Sequence, residues 1–78
     1  MDRVVELNFK RIHNALLGMV TTEQHPPQQV SVVKESGILR FDRPEEIEQE
    51  VYDQIAKDAS KFFPVKTWEE MLEAKGQI

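Results

Sequence analysis

The stretch QVSVVKESGILRFD, residues 29–42, constrains this chain more than any other. Two short runs rich in β-branched and aromatic residues flank Lys34, Glu35, Ser36 and Gly37, a turn cluster with glycine last. With those four residues as the loop, Val33 faces Ile38, Val32 faces Leu39, Ser31 faces Arg40 and Val30 faces Phe41. That register gathers Val30, Val32, Leu39 and Phe41 on one face and leaves Ser31 and Arg40 on the other. A slip of one residue would scatter the apolar set. A hairpin over 29–42 is marginal in water by itself, so it requires a helix across its apolar face or a further strand on its edge.

The flanking segments are expected to supply that cover as helices. Val5, Phe9, Ile12, Leu16 and Met19 recur at helical spacing, and Glu6 precedes Lys10 by one turn. Val5, Leu7 and Phe9 also alternate as a strand would, but the helical spacing persists over more of the segment, which predicts a helix over 2–19. After the hairpin, Asp42 and Glu45 have capping-box spacing, and Pro44 suits a first helical turn. Ile47, Val51, Ile55, Ala59 and Phe62 form one stripe, with Tyr52, Ala56 and Phe63 at its border. Acidic residues crowd the start and Lys57 and Lys61 lie near the end, as the helix dipole favours. Pro64 closes a predicted helix over 43–62. Thr67 with Glu70 repeats the capping-box spacing before a short helix over 68–75, and Gly76 sits where a left-handed cap belongs. The order α-β-β-α-α predicts an α+β single domain, 1–78, with helices packed on a two-stranded antiparallel hairpin.

Size makes that core tight. Seventy-eight residues without cysteine have neither a disulfide nor a thiolate metal site to add stability. Tidy helices or a second copy of the chain must then make up the difference, so a homo-oligomer is an option the sequence leaves open. No apolar run resembles a signal-peptide core or a membrane span, and the lack of cysteine agrees with a cytoplasmic setting. Charge is uneven: six basic and five acidic residues in 1–43 give +1, four and nine in 44–78 give −5, which sum to −4. An acidic second half disfavours general nucleic-acid binding.

Residues 21–29 contain no aliphatic or aromatic side chain, yet hold His25 and the Pro26-Pro27 pair. His13, Glu23 and His25 could be imagined as metal ligands, but no ligand spacing supports this, and Thr, Gln, His and Pro suit a solvated connector over 20–28. The carboxylate pairs Glu46/Glu50 and Glu69/Glu73 fall on outward helix faces rather than in an apolar cleft. With no phosphate loop, no nucleophile motif and no cofactor signature, the chain reads as a non-enzyme.

Two function classes remain. The leading expectation is a non-catalytic protein–protein interaction module, a small regulatory, inhibitor or accessory protein that binds a partner protein or itself. Trp68, Phe63, Tyr52 and Met71 are its expected anchors, aromatic residues being the usual centres of interfaces. The competing placement buries Trp68 on Phe62 within the monomer, and the hairpin edge is a second docking surface. The alternative is nucleic-acid binding through Lys10, Arg11, Lys34 and Arg40 on a basic side of the first helix and hairpin.

Overall fold

The computed structural model describes residues 1–76. Four strands form one antiparallel sheet in chain order: β1 (Val4–Ile12), β2 (Ala15–Thr22), β3 (Gln28–Val33) and β4 (Arg40–Phe41). A single 3-10 turn (Pro44–Glu46) leads into α1 (Gln49–Ala59), and α2 (Trp68–Gly76) follows after an extended link. The architecture is α+β with four strands, not two. No helix among the described residues is long and apolar enough to cross a membrane.

The expected helix over 2–19 is instead a β-hairpin. Ile12 pairs with Ala15 across a two-residue turn in which His13 adopts a left-handed conformation, φ 54°. The pairing runs back to Val4 opposite Thr22, with Val5 as the extra residue of a bulge. Helical spacing misleads here because β2 is apolar on both faces, although β1 alternates Leu7 and Phe9 with outward Glu6, Asn8 and Lys10. Leu7, Phe9, Leu16 and Val20 take the helix side, while Ile12, Leu17 and Met19 take the other, so the period of two is masked.

The later hairpin keeps its expected register at Val30 opposite Phe41 and Ser31 opposite Arg40, but β4 is only those two residues long, so the expected Val32–Leu39 and Val33–Ile38 pairs do not form and the connection is longer than Lys34–Gly37. Gly37, at φ 67°, closes the turn by donating its N–H to the Val33 carbonyl at 2.8 Å. The expected connector over 20–28 is shorter than that, since β2 continues to Thr22 and β3 begins at Gln28.

The helix expected over 43–62 is broken. Asp42 does not cap it; its N–H donates to the Gln29 carbonyl and its carboxylate accepts from the Gln29 N–H, which extends the β3–β4 pairing. Arg43 donates its N–H to the side chain of buried Gln28. With both residues bound to β3, the chain makes one 3-10 turn, passes through extended Ile47, and starts α1 only at Gln49. By contrast, the second capping box forms as expected. Thr67 accepts from the Glu70 N–H at 3.1 Å, and Glu70 accepts from the Thr67 N–H at 2.9 Å. That backbone N–H holds the Glu70 carboxyl below its ordinary range. Gly76 ends α2 as a helical residue, not as a left-handed cap.

One core joins these elements. Leu16, Val20, Val30 and Val32 line the inner face of the sheet, and Val51, Tyr52, Ile55 and Ala59 cover it from α1. Tyr52 is fully buried between Phe41 and Trp68, with ring centroids 6.3 and 5.4 Å away. Its hydroxyl donates to the Lys66 carbonyl at 2.8 Å, and burial raises its pKa to about 12. The Phe9 ring lies against Gly18. A Cβ at position 18 would collide with the Asn8 carbonyl oxygen and come within 2.9 Å of that ring.

Candidate docking face

The helices pack on one side of the sheet, so the other side is open. The strand pairings place Ile12, Ala15 and Val33 in one row of that open face, and Lys10, Leu17, Ser31 and Arg40 in the next. Asn8, Met19 and Gln29 make a third row, and Glu6 with Thr21 a fourth. Ile12, Leu17, Met19 and Val33 are 39–49% exposed there, whereas a polar outer face is the common solution for a sheet covered on one side. Val5 lies between inward-facing Val4 and Leu7 at the bulge and adds a further exposed apolar side chain. Five of the eight exposed large hydrophobic residues among those described therefore belong to β1, β2 and β3. They share the face with Glu6, Asn8, Lys10, Gln29, Ser31 and Arg40.

The expected anchors are placed differently. Tyr52, Phe63 and Met71 are interior residues, and an anchor must be accessible in the free protein. Trp68 is half-buried and packs on Tyr52, not on Phe62, whose ring instead meets Phe9 at 6.5 Å. It lines a groove of about 440 Å³ between β4 and α2, together with Leu39, Phe41, Ile47 and Leu72. The four basic residues do not share one surface. Lys10 and Arg40 stand in one row of the open face, Arg11 falls on the opposite parity with its Nε donating to the His13 carbonyl, and Lys34 begins the β3–β4 turn.

The loop over 23–27 is closed by Asp2, a buried carboxylate that no sequence pattern marks. It accepts the backbone N–H groups of Arg3 and Gln24 at 2.9 and 3.1 Å, and His25 Nδ1 lies 2.9 Å away. Burial opposes ionisation of Asp2, but these bonds and one with Thr22 outweigh it and hold the carboxyl down to about 2. An ionised carboxylate only accepts, so Nδ1 carries the hydrogen. The Thr22 hydroxyl approaches that same nitrogen at 3.4 Å. A relay from hydroxyl to carboxylate needs both ring nitrogens, so this cluster is a structural clasp. His13 lies at the far end of the β1–β2 hairpin from His25, and among the described residues no three His, Asp or Glu side chains converge as metal ligands. Arg43 completes the closure, donating to the carbonyls of Pro26 and Pro27 and pairing with Glu46 at 3.0 Å.

No protein-family model, curated protein or solved structure matches this chain.

Proposed function

We propose that the chain is a non-catalytic protein–protein interaction module that docks through the open face of its sheet. The observation that carries this reading is the cluster of Ile12, Leu17, Met19 and Val33, exposed on one uncovered surface. Burying such side chains is worth roughly 25 cal/mol per Å² of apolar area, so the face supplies a driving force for association. Lys10 and Arg40 border the apolar centre and Glu6 marks its far end, an arrangement that selects orientation and partner more than raw affinity. With Tyr52, Phe63 and Met71 committed to the core, the anchors move from aromatic to aliphatic residues.

The test is capture from nuclease-treated lysate on the immobilised chain, comparing the natural sequence with Leu17→Glu. A protein retained in stoichiometric amount by the first and lost by the second supports the reading. Equal recovery by both with no Leu17-dependent self-association, or loss of all bound protein with nuclease and salt, refutes it.

A further inference from the structure

We propose that the open sheet face docks on the same face of a second copy, forming a two-fold sandwich; this rests on the interaction reading above. Two sheets stack about 10 Å apart with strands nearly aligned, and a two-fold axis between them has two simple orientations. An axis along the strands would set Lys10, on edge strand β1, over Arg40, on edge strand β4, because the two share a row. Like charges so juxtaposed disfavour that arrangement. An axis across the strands at the Asn8–Met19–Gln29 row does the opposite. It lays the Lys10–Leu17 row over the Glu6–Thr21 row of the second copy. Lys10 then meets Glu6 of the second copy twice, once in each direction, and Met19 meets its own counterpart at the axis. Ile12, one row further out, reaches toward the bulged Val5 of the second copy. The face is thus complementary to itself in charge, with Met19 as the apolar contact at the axis and Leu17 over Thr21 of the second copy.

Its area fits a dimer in dynamic equilibrium. Strands of nine, eight, six and two residues, about 4.8 Å apart and about 3.3 Å per residue, present roughly 400 Å² per copy. The total of about 800 Å² is that of a weak, transient association, below the roughly 1,200 Å² at which stable specific interfaces begin.

Sedimentation of the full chain, over concentrations from about 1 to about 300 μM, reads the result directly. The expected outcome is a concentration-dependent rise from the 9.1 kDa chain mass to twice that value. Leu17→Glu, placed beside Lys10 within its own sheet, is expected to remain monomeric and folded. Lys10→Glu or Glu6→Lys alone should weaken dimerisation about tenfold, and the double exchange should restore it to within about twofold. A monomer at every concentration overturns the proposal, as does a dimer indifferent to Leu17→Glu or a double exchange no better than the single ones. If the chain stays monomeric yet captures a partner that Leu17→Glu loses, the second copy is excluded and the interaction reading stands. If neither association nor Leu17-dependent capture is found, both fail.

Discussion

Both faces of the sheet carry large apolar side chains, and these meet opposite fates. Leu16, Val20, Val30 and Val32 are at most 1% exposed beneath α1, while Ile12, Leu17, Met19 and Val33 retain 39–49% of their surface. The covered face is the more apolar of the two, and the exposed four stand among Glu6, Asn8, Lys10, Gln29, Ser31 and Arg40 with no helix over them. α1 has 11 residues and α2 has 9, about 16 and 14 Å of helix at 1.5 Å per residue, enough for one side of a four-stranded sheet. A chain that makes two strands where one helix was expected, over 2–19, gains a second sheet face and has no element left to cover it.

That contrast can be broken by substitution. The largest effect is expected at Gly18, where the inner face admits no side chain. Gly18→Val should cost about 3 kcal/mol or more in urea unfolding, because the Asn8 backbone and the Phe9 ring must both move. Leu16→Ala, a cavity in the covered layer, should cost about 3 kcal/mol by the same measurement. Asp2→Asn tests the polar closure of that layer and should cost about 2 kcal/mol at neutral pH. The folded carboxyl ionises at about 2 against 3.8 in the unfolded chain, so its contribution is full above about pH 4 and lost as pH falls through the folded value. The natural chain should therefore lose stability along this acid limb and the variant correspondingly less, as followed by unfolding midpoints between about pH 5 and pH 2. Thr67→Ala removes one side of the α2 capping box and should cost about 1 kcal/mol, read as a lower thermal midpoint. Leu17→Ala should change monomer stability least, by about 0.5 kcal/mol, at concentrations too low for association. Equal losses for Leu16→Ala and Leu17→Ala would abolish the distinction between the faces.

The hairpin of β3 and β4 was legible because its second face is polar: Ser31 and Arg40 punctuate the apolar residues, so period and register agree. The hairpin of β1 and β2 was not, and the cause lies in β2, which is apolar on both sides. With Ile12, Leu17 and Met19 outward and Leu7, Leu16 and Val20 inward, no polar residues alternate along β2 to reveal a strand, and the turn at His13 and Asn14 lacks the glycine that usually announces one. The run of adjacent Leu16 and Leu17, one destined for each face, was the available signal. Residues 43–48 show a different limit. Asp42 and Glu45 have capping spacing, but long-range bonds from Gln28 and Gln29 claim Asp42 and Arg43 first. Local chemistry was sufficient at Thr67 and Glu70, where no such competitor exists. The clasp at Asp2 was invisible because its partners lie more than twenty residues away in the chain.

The attachment of α2 has a consequence for the order in which the molecule comes apart. Its one fully interior side chain is Met71, and the link before it is tied at Lys66, whose N–H donates to the Gly37 carbonyl and whose carbonyl accepts from Tyr52. A helix held this lightly is expected to open as a unit well below the free energy of global unfolding, which amide exchange of α2 ahead of β2 and β3 would show. Each such opening uncovers the Tyr52 ring from the Trp68 side, so the fluorescence of Trp68 reports a hatch lifting from an intact sheet.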